Sequence, residues 1–323
     1  MKKSFKLFLA ATFLVTEFFV IALPMLTTSA RADGAIQAIT HAGFGGGTDV
    51  TTRMMLLRTR RYLKQDMQLV NKKGGGGAAS MDYMMTLPAD GQHTLTWTTG
   101  HAVSMALGKT KVKLSDMQPL ARGTDDPQLF VVNCKNDIKD AKKFVSAQKS
   151  KSLKYGTTHV GGIDDVSAIA FTKKGKLTDP TIVPYKGVGP IKTNLIKGDI
   201  DVGVLNLGEA VTEIEDGTLC VSVVLASNRM EKLSNVPTAT ELGIPVVLST
   251  VRGFVTRKGV SADRKKQLED AMIKAMEHKY FQSFLTDIGL DSTSVVGADE
   301  WGKQMEVMLA EMTAQLKALG YIN

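Results

Sequence analysis

Short runs rich in β-branched and aromatic residues alternate with longer amphipathic stretches over most of this chain. The short runs predict strands and the amphipathic stretches predict helices. Strands are predicted at residues 35–40, 67–71, 94–98, 129–133, 153–156, 181–185, 201–206 and 220–227. Helices are predicted at residues 48–64, 78–87, 138–149, 163–174, 189–197 and 208–216, with a loop-rich stretch between 98 and 129. Such alternation is typical of α/β proteins with open, mainly parallel sheets covered by helices.

The C-terminal part of the chain changes character. Residues 261–278 and 301–319 are predicted to form long amphipathic helices, whose methionines we interpret as core residues. No low-complexity linker divides the chain and no internal repeat is evident. We therefore expect two lobes joined by crossing strands. Residues 33–130 and 226–323 form the first lobe in this prediction, and residues 131–225 form the second, inserted lobe.

The N-terminus has the layout of an export signal. A basic start with Lys2 and Lys3 precedes an apolar run over residues 7–26, and Ala30-Arg31-Ala32 follows as a small-residue cleavage site. The apolar run is long for a signal peptide, so an uncleaved membrane anchor is the competing interpretation. We expect residues 1–32 to be a cleaved signal peptide and the remaining protein to be periplasmic.

The formal net charge of +8 is spread along the chain in short lysine clusters. No aromatic residues interleave with these clusters, so a nucleic-acid partner is not expected. A positive net charge gives a mildly favourable field for organic anions.

The cysteine count excludes one kind of site and leaves one question open. Cys134 and Cys220 are the only cysteines, and both lie in strand-like surroundings. An oxidising compartment allows them to form a disulfide, and two buried thiols are the alternative. The sequence has no Cys/His spacing suited to zinc, so no metal is expected.

Glycine-rich segments follow the first two predicted strands. Gly45 to Gly47 precede the first predicted helix, and Gly74 to Gly77 precede the second. A loop of this kind leaves backbone N–H groups at the positive end of a helix dipole, which is a seat for an anion. Asp49 is predicted to orient the first loop by accepting hydrogen bonds from its backbone. The second cluster is interpreted either as a wall of the pocket or as a site of close helix packing.

Motifs of common enzyme classes are missing from the sequence. The segment from Gly43 to Thr48 fails the last position of the dinucleotide fingerprint G-x-G-x-x-G. The chain contains no phosphate-binding G-x-x-x-x-G-K-[ST], no G-x-S-x-G and no H-E-x-x-H. We therefore expect neither catalysis nor a cofactor.

Several short motifs together resemble the extracytoplasmic solute receptors of tripartite tricarboxylate transporters, the Bug receptor family. The resemblance covers essentially the whole mature chain. Its motifs are Phe44-Gly45-Gly46-Gly47-Thr48-Asp49 with Arg53, Val70-Asn71 before the glycine cluster, Asp90-Gly91 with Thr94-Leu95, Tyr155-Gly156-Thr157-Thr158, Val183-Pro184-Tyr185-Lys186-Gly187, Gly198-Asp199-Ile200-Asp201 and Val236-Pro237-Thr238.

The resemblance implies an α/β, two-lobed periplasmic binding protein of type II (Venus-flytrap), with a mixed sheet covered by helices in each lobe. It further implies a monomeric receptor that closes on a small organic anion, a di- or tricarboxylate, and delivers it to integral membrane transporter subunits. The ligand-binding residues that it implies are His41, Phe44, Gly45, Gly46, Gly47, Thr48, Asp49, Thr98 and Thr99 for one end of the ligand, and Thr157, Thr158, His159, Gly161, Gly162 and Asn206 for the other.

Two departures from the family pattern bear on the ligand. Asp164 and Asp165 stand where a histidine or a small residue is commoner, and they favour an amine or hydroxyl group at that end of the ligand.

The alternative to transport is a sensor subunit whose ligand-bound form docks on a signalling receptor. Three histidines, His41, His101 and His159, fall at predicted strand ends, where we expect at least one to contact the ligand.

Overall fold

The computed structural model describes residues 34–158, 160–318 and 320–322. The predicted signal peptide and His159 lie outside these residues, so their predictions stay untested. The fold class expected from the sequence is confirmed: two mixed sheets are each covered by helices.

The first sheet has six strands in the order β11-β4-β10-β3-β1-β2. Its strands are β1 (Ile36–Thr40), β2 (Met67–Asn71), β3 (His93–Thr98), β4 (Met117–Pro127), β10 (Ser249–Arg257) and β11 (Val296–Gly297). The strand β1 pairs in parallel with β2 and β3, whereas β10 pairs antiparallel with β3 and β4. The carboxyl ends of β1 and β3 therefore lie at one edge of the sheet.

The second sheet has five strands in the order β7-β6-β8-β5-β9. Its strands are β5 (Leu129–Asn133), β6 (Lys154–Thr157), β7 (Thr181–Pro184), β8 (Val202–Leu205) and β9 (Leu219–Val224). Parallel pairing joins β6 to β7 and β8, and antiparallel pairing joins β5 to β8 and β9.

Ten α-helices are present in the described part of the chain. They are α1 (Gly47–Leu63), α2 (Ala78–Thr86), α3 (Thr99–Ala106), α4 (Ala141–Ser150), α5 (Ile163–Lys174), α6 (Val188–Lys197), α7 (Leu207–Glu215), α8 (Ala262–Glu277), α9 (Lys279–Asp287) and α10 (Ala298–Ala318). As predicted, the methionines of α10 lie in the core: Met305, Met308 and Met312 are all buried.

The stretch predicted as loops is mostly regular structure. It contains α3 and the long strand β4, whose sequence MQPLARGTDDP includes residues that are depleted in strands. Pairing with β10 over its whole length holds β4 in place. Tertiary pairing therefore overrides local propensity here, and His101 lies inside a helix rather than at a strand end.

A disulfide joins Cys134 to Cys220, with a Cα–Cα distance of 5.0 Å. Cys134 directly follows β5, and Cys220 lies on the neighbouring strand β9 opposite Val132. The sequence left this pairing open because it gives no distance between the two thiols. The antiparallel register supplies that distance, and the alternative of two free thiols is wrong.

The chain crosses between the sheets twice, from β4 to β5 and from β9 to β10, and the two crossings lie side by side. Gln128 donates its backbone N–H to the Leu248 carbonyl, Leu225 donates to Gln128, and Leu248 donates to Leu225. These three residues tie together the segments that leave and re-enter the first sheet.

Candidate functional site

The first glycine loop connects β1 to α1. Gly45 has a φ of +77°, a left-handed conformation that favours glycine, and Gly46 is the extended N-cap of α1. The buried carboxylate of Asp49 accepts a hydrogen bond from the Gly45 N–H at 3.0 Å. This is the loop-orienting contact that the sequence predicts for Asp49.

The outer side of this loop carries an exposed aromatic ring. The Phe44 side chain is 87% exposed, and the Arg53 guanidinium lies over its ring, 5.2 Å from the centroid. Arg53 also donates two hydrogen bonds to Asp49, at 2.9 and 3.1 Å. Hydrogen bonding to Asp49 raises the pKa of Arg53. The pair therefore fixes the first turn of α1 beside the loop.

The second glycine cluster packs against a buried histidine. All four glycines have a positive φ. A Cβ placed on Gly77 would lie 2.7 Å from Cδ2 of His101, so glycine is required there by close packing. Of the two interpretations offered by the sequence, this contact supports the packing one.

His101 serves the protein's own backbone. Its Nδ1 accepts the Thr98 N–H at 3.0 Å, so Nε2 carries the proton and donates to Ser80 Oγ, also at 3.0 Å. Burial, together with the His41 ring 4.4 Å away, lowers the pKa of His101 well below its ordinary value. His101 is therefore a neutral capping residue for α3, with Thr98 as the N-cap.

Thr99 is occupied in a similar way. Its hydroxyl donates to the Ser249 carbonyl at 3.0 Å and accepts the Val251 N–H at 2.9 Å. Thr98 and Thr99 are both buried. In this arrangement they join α3 to β3 and β10.

The second loop runs from β6 to α5. Thr157 is buried at the end of β6, and its hydroxyl has no hydrogen-bond partner among the described residues. Thr158 donates both its N–H and its hydroxyl to Asp164, at 2.9 and 2.7 Å. The Gly161 N–H donates to Asp165 at 2.6 Å, and Gly162 is the N-cap of α5. Asp164 and Asp165 are thus capping residues, which explains their place in this loop.

The two loops have the same geometry. In each, the third residue of the helix is an aspartate that accepts the N–H of a positive-φ glycine four residues earlier: Asp49 with Gly45, and Asp165 with Gly161. The residue before that glycine is exposed in both loops, Phe44 in one and Val160 in the other. The sequence analysis did not recognise this equivalence, although the spacing G-G-x-x-D occurs in both loops.

A buried arginine that the sequence analysis missed joins the two sheets. Arg252 on β10 is 3% exposed and pairs with Asp126 at 3.0 Å. It also donates to Asn206 Oδ1 at 3.1 Å and, with long geometry, to Thr48 Oγ1 at 3.4 Å. Thr48 and Asn206, two of the implied ligand-binding residues from different lobes, therefore meet at Arg252. A charged residue inside the apolar run STVRGFV was the available signal.

Glu209 also lies at this junction. It forms a capping box with Asn206 at the start of α7, accepting the Asn206 N–H at 3.1 Å. Its carboxylate also lies against Gly47 at the start of α1. A Cβ on Gly47 would lie 2.5 Å from Arg252 Nη2 and 3.3 Å from Glu209 Oε1. Gly47 therefore allows the close approach of both side chains.

Burial raises the pKa of two carboxyl groups at this junction, those of Asp126 and Glu209. It raises the pKa of Asp126 to about 7, against the opposing effect of Arg252, and it raises the pKa of Glu209. Asp164 contributes to the shift of Glu209, so the second loop lies close enough to act on the cluster. One guanidinium thus faces several carboxylates at the junction of the sheets.

The sequence profile of the tripartite tricarboxylate transporter family receptors matches residues 51–319. The chain belongs to this family. The match begins after the first glycine loop and includes both the glycine cluster at residues 74–77 and the second loop, between β6 and α5. Family and fold are those of solute-binding receptors, as the sequence motifs implied.

The receptor has relatives across the same family. It is 26% identical to the protein BugT of Bordetella pertussis over 65% of this chain and 66% of that protein. Two solved structures from Rhodopseudomonas palustris share its fold. MatC with bound malate has a TM-score of 0.78 at 22% identity, covering 87% of this chain and 98% of MatC. Rpa4515 with adipate has a TM-score of 0.80 at 21% identity, covering 88% and 97%.

The described residues of the receptor contain neither a membrane-spanning helix nor a metal-binding cluster. No helix within them is long and apolar enough to cross a membrane. No group of three or more His, Cys, Asp and Glu side chains within them is arranged to hold a metal ion.

We expect the receptor's stability to depend on pH through Asp126. Its pKa is raised from 3.8 to about 7, so the folded protein keeps a proton that the unfolded chain has lost. The free energy of unfolding therefore falls as the pH rises through this window, by as much as about 4 kcal/mol. Denaturant unfolding of the wild type and of Asp126→Asn at a series of pH values measures the effect as a difference. A difference curve that is flat from pH 4 to pH 7 contradicts it.

Proposed function

We propose that this protein captures a small organic carboxylate in the periplasm and delivers it to the membrane subunits of a tripartite tricarboxylate-type transporter. Membership of the receptor family supports this role. The basic, apolar and small-residue pattern of residues 1–32 supports export through a cleaved signal peptide.

The observation that carries the proposal is the convergence of helix N-termini at the junction of the sheets. A Cβ on Gly47 at the start of α1 would lie 3.3 Å from Oε1 of Glu209 in the first turn of α7 and 2.5 Å from Nη2 of Arg252. Each helix contributes a partial positive charge at its N-terminus. Two such ends beside Arg252 support a site for a negatively charged ligand.

Two structural relatives support the proposed ligand class. MatC is described with malate and Rpa4515 with adipate, two dicarboxylates of different length. We infer that this receptor takes a di- or tricarboxylate whose ends lie between the two equivalent loops. The first loop contributes His41, Phe44, Gly45, Gly46, Gly47, Thr48 and Asp49, with Thr98 and Thr99 beside it, and the second contributes Thr157, Thr158, His159, Gly161 and Gly162, with Asn206.

We also propose that the crossing at Gln128, Leu225 and Leu248 is the hinge between the two lobes. Within the described residues the chain crosses between the sheets at Gln128 and over residues 225–248, and the hydrogen bonds among Gln128, Leu225 and Leu248 hold the two crossings together. Closure about such a hinge brings groups from both lobes onto one ligand. A ligand that contacts both lobes shifts the population toward the closed form.

Gly46→Val is expected to abolish carboxylate binding while the protein stays folded. The φ of Gly46 is −72°, which valine adopts, and the nearest atom to a Cβ would be the Gly43 carbonyl oxygen at 3.3 Å. We expect a small shift of the loop to relieve this tight contact, and the valine side chain to occupy the proposed anion seat. Thermal-shift and calorimetric titration with malate, adipate and citrate measure the effect, since a bound ligand raises the unfolding midpoint.

Gly189→Val is the matched control. Gly189 lies in the first turn of α6, and a Cβ there meets nothing within 4 Å. We expect it to bind like the wild type. Wild-type affinity in Gly46→Val would remove the first loop from the site, and failure of every organic acid to bind the wild type would overturn the proposed function.

A further inference from the structure

The carboxylate of Glu209 connects the two sheets by a direct contact. Glu209 belongs to α7, which follows β8 of the second sheet, whereas Gly47 begins α1, which follows β1 of the first. The Glu209 side chain accepts the N–H of Asn206 through Oε2, and its Oε1 lies 3.3 Å from the position of a Cβ on Gly47, so the carboxylate lies between the N-termini of two helices. An anion placed between two helix N-termini interacts favourably with both dipoles.

The charges around Glu209 hold it in this place. Arg252 on β10 is its cationic neighbour, and Arg252 is itself held by Asp126 and Asn206. Asp164 on α5 is the acidic neighbour. The cationic neighbour therefore comes from the first sheet, and the acidic neighbour comes from the second.

The backbone N–H groups of the first loop have acceptors within the protein. Gly45 donates to Asp49 at 3.0 Å and Gly46 donates to the Gly43 carbonyl at 3.1 Å. Gly47, the first residue of α1, has the Glu209 carboxylate beside it, with Oε1 3.3 Å from the position of a Gly47 Cβ. The amide at the helix N-terminus is the natural place for a ligand carboxylate, and here a carboxylate of the protein takes it.

We propose that Glu209 is a built-in competitor for the anion seat at the start of α1. While it is docked there, it holds the second sheet against the first, and a ligand carboxylate must displace it to reach the same amide. The competition rests on the proposed function, whereas the contact between the sheets does not. The free energy needed to displace Glu209 therefore lowers the apparent affinity of the protein for an organic acid.

Glu209→Gln tests this directly. Glutamine keeps the shape and can still accept the Asn206 N–H in the capping box, but it lacks the charge that favours both helix N-termini. We expect the ligand-free variant to be more open, with a larger radius of gyration by small-angle X-ray scattering. We expect malate, adipate or citrate to bind it roughly tenfold more tightly than they bind the wild type, since a charge-assisted contact no longer competes.

Glu241→Gln is the matched control. Glu241 also forms a reciprocal pair of backbone hydrogen bonds, with Thr238, and also pairs with an arginine, Arg229. Unlike Glu209, it is exposed, and none of these partners belongs to α1. We expect wild-type scattering and affinity from this variant. Circular dichroism and thermal unfolding establish that both variants are folded.

The outcomes separate the two proposals. Weaker or unchanged acid binding by Glu209→Gln shows that Glu209 supports the ligand rather than competing with it, which overturns the inference and leaves the proposed function intact. Unchanged scattering by the ligand-free variant also overturns it. If neither protein binds any acid, the proposed function fails, and the scattering comparison still decides whether Glu209 holds the sheets together.

Discussion

Arg252→Met is expected, at a pH above 7 where Asp126 is ionised, to lower the free energy of unfolding by about 3–5 kcal/mol, the usual effect of removing one partner from a buried ion pair. Arg252 is the buried cation of the junction, and without it the buried Asp126 has lost its ion-pair partner. Asn206 loses a donor from the other sheet at the same time. Urea unfolding followed by circular dichroism gives the difference directly.

A second substitution and a control sharpen this experiment. Adding Asp126→Asn to Arg252→Met should recover part of the lost stability, because it removes the unpaired carboxylate. Arg229→Met breaks the exposed pair with Glu241 and should cost no more than about 1 kcal/mol. Equal losses from Arg252→Met and Arg229→Met would contradict the buried pairing described for Arg252.

Removing the disulfide should destabilise the protein by about 4 kcal/mol. Cys134 and Cys220 are 86 residues apart, so the bond closes a long loop in the unfolded chain, and the stabilisation grows with loop length. We expect the double variant Cys134→Ala/Cys220→Ala to show this loss in chemical unfolding. The loop it closes contains every strand of the second sheet between β5 and β9.

Reduction provides the control for this measurement. A reducing agent should lower the unfolding midpoint of the wild type to that of the double variant, and it should leave the double variant unchanged. A wild-type midpoint that does not respond to reduction would show that the bond contributes nothing to stability. Because Cys220 is only partly buried, replacing it with alanine should cause little loss of packing, so the double variant reports mainly the loss of the bond.

Much of the fold could be predicted from local pattern. The strands at 67–71 and 129–133 and the helix at 163–174 were predicted with the bounds that the structure has. Each is bounded by residues that end strands or cap helices, such as Gly162 before the helix and Gly175 after it. The strands β4 and β10 were not predicted, because their pairing is with each other across more than a hundred residues and their composition is polar or charged.

The site was predicted in part for the same reason. The contact of Asp49 with its own loop spans four residues, so the sequence carries it. The cluster of Asp126, Asn206, Glu209 and Arg252 depends on segments that meet only in the folded chain. Composition gave no reason to prefer Glu209 over other acidic residues. Sequence reasoning therefore named the loops and Asn206, and it missed Asp126, Glu209 and Arg252.

The matched aspartates of the two loops have a consequence for the thermodynamics of recognition. Asp49 and Asp165 each lock a glycine-rich turn through a single backbone N–H, with no contribution from cargo. Glycine loses more conformational freedom on ordering than any other residue, and here that loss is incurred during folding. Under the proposed function, docking a solute requires little further ordering of either turn, so both loops are preorganised and the entropic cost of binding falls mainly on the solute.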